Sequence, residues 1–339
     1  MTEVPIGTAP ASLSQAFARG PRVRAWEMAI WIVALLAWFV LPRQAPMLNQ
    51  MAILALFAVS LDLILGYAGI VSLGHAAFFG TGAYVAALFA KHWVPDPLAG
   101  LAVAAVAAAL LGLATSVLVL RGSDLTRLMV TLGVALILYE LANRFDGVTG
   151  GADGLQGVVM GPLLGIFAFD MGGRVAFLYS LSVLAVLFFI ARRIVHSPFG
   201  YGLQAIRDNP RRATAIGISS HVRLAAVYTL AAAYAGVAGA LLAQTTGFAS
   251  LDVYDFHRSA DVLLVLVIGG VGWLYGGLIG AILFTLMHDV FSGITPQYWQ
   301  FWIGLLLIVL VLVGRERIGR LVRRLVPGPR QSAGPEVRP

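Results

Sequence analysis

Ten apolar runs divide the chain: Trp26–Leu41, Met47–Leu65, Leu73–Ala90, Leu98–Leu120, Leu125–Ala142, Val175–Ile190, Leu224–Ala243, Ser259–Val271, Gly276–Phe291 and Tyr298–Val313. They are longer than the roughly ten residues of a barrel strand and do not alternate with period two. The pattern predicts an all-α polytopic membrane protein of about ten transmembrane helices across residues 26–313. Several runs fall short of the ~20 residues a span needs, which predicts tilt, local thinning or broken helices.

The polar segments set the expected orientation. Residues 1–25 carry Arg19, Arg22 and Arg24 and read as a cytosolic N-terminal segment. No small-x-small cleavage site follows Leu41, so the first run reads as a retained span. Alternation then puts Arg121–Arg127, the segment 192–223 and the basic tail 314–339 inside. The outer segments hold few basic residues: Arg43, Lys91, Arg144, Arg174 and Arg258. This bias matches the positive-inside rule and predicts both termini in the cytosol. The external segment 144–174, with Thr149-Gly-Gly-Ala-Asp-Gly-Leu155, reads as a flexible loop, with a docking surface for an external partner as the alternative.

Composition narrows the function. The chain is 59% hydrophobic and 12% charged, so no soluble domain is expected, and its net charge of +7 reflects orientation and not nucleic-acid binding. With no cysteine, thiolate metal sites and cysteine nucleophiles are excluded. The sole lysine, Lys91, is not in a Gly-Lys-Ser/Thr context, so the chain has no Walker-type phosphate loop.

Three stretches carry the candidate chemistry. In the first, Asn209 suits a helix N-cap, Pro210 the first helical turn, and Gly217 a left-handed helix end. A short surface helix, Pro210 to Ile216, is predicted, presenting Arg211 and Arg212 with Ala213, Ala215 and Ile216 as small and apolar neighbours. In the second, Gly66, Gly69 and Gly74 predict a break between two spans, with Ser72 available to cap the helix beyond it. Asp62 and His75 flank it, suited either to face a polar solute or to fix the break by hydrogen bonds. Tyr67, Phe78 and Phe79 are the adjoining aromatics. The third is the glycine-rich turn Ile268–Gly277. Glu140, Asp261 and Asp289 lie near run ends, where solvation keeps their cost small.

Four stretches in order then support a resemblance: Gly66-Tyr-Ala-Gly…Ser72-Leu-Gly-His-Ala-Ala-Phe78, Thr149–Leu155, Ser197-Pro-Phe-Gly…Ala205-Ile-Arg…Ala213…Gly217-Ile, and Ser259-Ala-Asp-Val-Leu-Leu…Val267-Ile-Gly-Gly-Val-Gly272. The chain resembles the LivM-type permease subunits of branched-chain amino-acid ABC importers, of the type II importer architecture. The resemblance implies a bacterial inner-membrane complex with a second, LivH-like permease, two ABC ATPases that bind ATP and Mg, and an extracytoplasmic binding protein. It implies no cofactor on this chain. It makes 192–223 the coupling loop, with Arg207, Asp208, Asn209, Pro210, Arg211, Arg212, Ala213, Ile216 and Gly217 at the ATPase contact. Asp62, Gly66, Tyr67, Gly69, Ser72, Gly74, His75, Phe78 and Phe79 are the candidate pathway residues. The solute is left open among branched-chain and other amino acids, urea, amides and aromatic acids. The competing reading is an ion- or proton-coupled secondary transporter using Asp62. No zinc-protease motif or nucleophile elbow occurs, and no potassium-type filter.

Overall fold

The computed structural model describes residues 25–170 and 172–313. Residues 1–24 and the tail 314–339, where the basic cytosolic ends were expected, lie outside the described residues. Among the described residues the chain is helical, with no strand and two isolated bridges, Leu155 with Ala249 and Leu163 with Phe167. The helices are α1 (Ala25–Val40), α2 (Ala45–Asp62), α3 (Ala76–His92), α4 (Pro97–Val119), α5 (Asp124–Arg144), α6 (Asp146–Thr149), α7 (Arg174–Val195), α8 (Pro198–Asp208), α9 (Pro210–Ala215), α10 (Ser220–Thr246), α11 (Phe256–Gly269), α12 (Leu274–Ile294) and α13 (Trp299–Val313).

Every predicted apolar run falls on a helix. Among the described residues six helices are long and apolar enough to cross a bilayer: α2 with its extensions (Pro42–Tyr67), α4, α5, α7, α10 and α12. α1, α3, α11 and α13 have 16, 17, 14 and 15 residues, below the ~20 of an ordinary span. The chain is a multi-pass helical membrane protein.

The described residues up to Leu283 form one compact unit, organised around α10. Its Ala231, Ala235, Ala238 and Ala240 are fully buried, and the helix packs on α3 and α4. Small residues are needed there because the backbones touch. A Cβ on Gly82 of α3 would meet the carbonyl of Gly236, and one on Gly239 would meet that of Phe79. Buried polar groups are spent on cross-links: Tyr179 of α7 donates to Gln244 Oε1 of α10 (2.8 Å), and Gln244 Nε2 donates to the Pro97 carbonyl opening α4 (2.8 Å). α4 itself starts with Asp96 Oδ1 accepting from Leu98 N and proline at its first position. By contrast, α5 shows Leu125, Met129, Leu136 and Ile137 outward, as a lipid-facing helix does. In the second unit, from Phe284, Trp302 of α13 donates to Thr295 Oγ1 (3.1 Å) and stacks on Phe291.

Two expectations change. The segment Thr149–Leu155 is folded: Thr149 Oγ1 donates to the Ala142 carbonyl, and Leu155, buried, bridges Ala249 (2.7 Å). Arg192, expected to open the coupling loop, instead lies in the last turn of α7. It is buried and paired with Glu27 of α1 at 2.8 Å.

Candidate functional site

The backbone leaves helical geometry after Asp62. Leu63–Tyr67 form a π-turn, Gly69 takes φ 73°, and the chain becomes helical again at Ala76. Such a break strands peptide groups inside the protein, and each needs a partner. Ile70 N donates to the Ile64 carbonyl (2.8 Å), Leu73 N to Thr131 Oγ1 (3.3 Å) and Ala76 N to Ser259 Oγ (2.9 Å). The cap of α3 is therefore Ser259 from α11 and not Ser72, whose hydroxyl is buried without a partner. Ser72 was the nearer residue in sequence, but the fold brings Ser259 to the exposed amide.

Asp62, Tyr67, Ser72, His75, Phe78 and Phe79 are all buried, and Gly69 is half-buried. His75 Nε2 and Ser60 Oγ share a 2.8 Å hydrogen bond, and the imidazole stacks on Phe57 at 5.4 Å. Phe78 packs edge-on against Tyr228 and His75, and Phe79 against Phe57. Gly74 has no room for a side chain, since a Cβ would fall on the Thr131 carbonyl of α5.

Asp62 does what neither neighbour does: it reaches another turn. Its Oδ1 accepts from Gly272 N at 2.7 Å. Gly272 (φ 78°) belongs to the α11–α12 turn, where Gly269 and Gly276 approach so closely that neither could carry a Cβ. On the other side of the break, Arg207 Nη1 donates to the Gly66 carbonyl. A Cβ on Gly66 would collide with Gly272 and Asp62, and one on Gly69 would stand 2.7 Å from Arg207 Cγ. The three stretches singled out in the sequence thus converge: the break, the 270–273 turn and the segment between α7 and α10.

That segment is two helices. α8 went unpredicted, though Ser197-Pro198 is a start signal and Leu203 and Ile206 are its buried face. α9 has the expected ends: Asn209 Oδ1 accepts from Arg212 N (3.0 Å), Gly217 is left-handed (φ 86°), and Ile218 N donates to the Ala213 carbonyl. Asn209, Pro210, Arg211, Arg212 and Gly217 are exposed, and Asp208 is mostly so. Two members of the expected docking set also serve their own chain. Ala213 is buried within its own chain at 2% exposure, because a six-residue helix lying on a protein must turn one face inward, and its smallest residue serves. Arg207 is directed to Gly66 and Asp208, so its guanidinium serves this chain's own junction. Ile216 points the other way, 75% exposed.

Among the acids placed near run ends, Glu140 and Asp289 are exposed and Asp261 is half-buried. Sequence reasoning missed the Glu27–Arg192 pair. Glu27 was hidden by its nearness to the basic N-terminal segment.

Known proteins match the chain. A family profile described as a branched-chain amino acid transport system permease component matches residues 45–312. LivM, the high-affinity branched-chain amino acid transport system permease protein of Salmonella typhimurium, is 30% identical over 84% of this chain and 72% of the relative. Escherichia coli LivM is 29% identical over 76% of this chain, which spans 65% of that relative. The galactose/methyl galactoside import permease protein MglC of Haemophilus influenzae is 26% identical over 84% and 93%. LivH of Escherichia coli matches at 26% over 39% of this chain. No solved structure matches the chain. With the profile covering most of its length and LivM aligned across most of the chain, the protein belongs to the permease-component family of branched-chain amino-acid transport systems.

Proposed function

We propose that this chain is a translocation subunit of an ATP-driven importer for branched-chain amino acids or a related small polar solute. It sits in the bacterial inner membrane with ten crossings and both termini in the cytosol. A LivH-like permease completes the pathway, two ATPases carry ATP and Mg, and an external binding protein delivers the solute. The observation that carries this reading is α9, a capped helix between two long spans that presents Arg211, Arg212 and Ile216 outward. The sequence holds no Walker-type phosphate loop, and α9 offers an apolar knob ringed by cations for an ATPase partner.

Burying an isoleucine fully contributes about 1.5–3 kcal/mol. With three quarters of Ile216 available, docking would draw roughly 1–2 kcal/mol from it, or a five- to thirty-fold change in affinity. The Ile216→Asp variant is expected to insert normally, to lose its ATPase during co-purification, and to lose uptake of labelled leucine or galactose in proteoliposomes. A variant that keeps both ATPase and uptake overturns the proposal. Uptake by the wild type that ignores ATP but stops when a proton gradient is collapsed points to the secondary-transporter reading.

A further inference from the structure

We infer that Arg207 is a positioning residue that fastens the segment between α7 and α10 to the helix break and, through it, to the 270–273 turn. This rests on the transport reading above. Its consequence is that motion of α8 is delivered to the break by a side chain as well as by the flanking spans.

The geometry is that of a strut. At its root, Arg207 stands in the last turn of α8. In the middle, the stem lies on Gly69, where an added Cβ would stand 2.7 Å from Cγ. At its tip, one guanidinium makes every bond: Nη1 donates to the carbonyl of Gly66, 141 residues away in sequence, and Nε and Nη2 donate to Asp208 Oδ1 at 3.2 and 3.1 Å. Gly66 lies in the last turn of a helix that stops at Tyr67, so its carbonyl is among those a helix end leaves without a backbone donor. A cation there also complements the negative end of the helix dipole. The next link is already made, because Gly66 touches Gly272 and Gly272 N is held by Asp62. An ammonium could reach only one of these partners, whereas the guanidinium fork bonds Gly66 and Asp208 together.

A purely structural arginine would affect assembly and leave the stoichiometry of transport alone, so the decisive readout is solute moved per ATP hydrolysed. It is measured in proteoliposomes holding the whole complex, with labelled leucine or galactose as the probe. Arg207→Ala is expected to lower that ratio at least tenfold, and Arg207→Lys to recover part of it. Gly69→Ala, which forces the stem aside without altering any exposed contact of α9, is expected to lower the ratio in the same direction. Arg207→Met, which keeps the stem on Gly69 and removes both bonds, decides the matter alone if Arg207→Ala does not assemble, since alanine at Gly69 also strains a backbone at φ 73°. A wild-type ratio in both Arg207→Ala and Gly69→Ala overturns the strut while leaving the importer reading standing. A wild-type complex whose uptake does not depend on ATP overturns both.

Discussion

Removing either member of the Glu27–Arg192 pair should destabilise the protein far more than an ordinary charge substitution. Both side chains are about 8% exposed and meet at 2.8 Å. Each charge also suits its own helix: Glu27 is in the first turn of α1 and Arg192 in the last turn of α7. Glu27→Ala leaves a buried guanidinium without its counter-ion, and Arg192→Ala leaves a buried carboxylate. Breaking a buried pair in this way costs about 3–5 kcal/mol, against about 0.2–1 kcal/mol for an exposed one. The double variant Glu27→Leu/Arg192→Met replaces both charges with apolar volume and should come within about 1 kcal/mol of the wild type or exceed it. The assay is the unfolding free energy of the purified chain in mixed micelles, measured for both singles and the double. Single variants that each cost under about 1 kcal/mol would refute the reasoning, since the pair would then behave as if solvated.

Gly74→Ala should lower uptake at least tenfold with the ATPase still bound, because its Cβ occupies the position of the Thr131 carbonyl and must displace α5; normal uptake would remove the close approach from the mechanism. Single-cysteine labelling tests the ten-crossing topology in a chain with no cysteine of its own. Asp153→Cys should react with an impermeant reagent in sealed cells and Ala215→Cys only after permeabilisation, both side chains being exposed; labelling of Ala215→Cys in sealed cells contradicts that topology.

What the sequence made legible was local. Hydropathy located the helix under each apolar run, and the chemistry of Asn209-Pro210 and Gly217 located both ends of α9, because a cap depends on residues within one turn. The contacts that build the site are not local. Arg207 to Gly66, Ala76 to Ser259 and Gly272 to Asp62 join residues 141, 183 and 210 positions apart, and nothing in the spacing of glycines chooses those partners. Ser72 looked like the cap of α3 because it was near. The inward turn of Ala213 was hidden for a different reason: a six-residue helix is too short for a periodic pattern to show which face is covered. The number of crossings also escapes composition, since helices of 14 to 17 residues such as α11 and α3 sit at the boundary between a tilted span and a buried core helix.

Asp62 separates the two transport mechanisms. As an ion- or proton-coupling group it would have to exchange its charge or its ligand in every cycle, and a neutral side chain there would stop transport. As a tie to the 270–273 turn it needs only one acceptor oxygen aimed at Gly272 N, and Asp62→Asn keeps that oxygen. The other carboxylate oxygen, Oδ2, is buried without a hydrogen-bond partner, so the amide nitrogen that replaces it breaks no existing bond. The loss is then the difference between a charged and a neutral acceptor, about 1 kcal/mol. Asp62→Leu removes the acceptor altogether, leaves Gly272 N unsatisfied in the interior, and costs about 1–3 kcal/mol at a turn that has no spare room. Uptake in proteoliposomes should therefore stay within a few-fold of wild type for Asp62→Asn and collapse for Asp62→Leu. Abolished uptake in Asp62→Asn, with the complex intact, would mean that the charge itself is used in the cycle and that the tie to Gly272 is not its purpose.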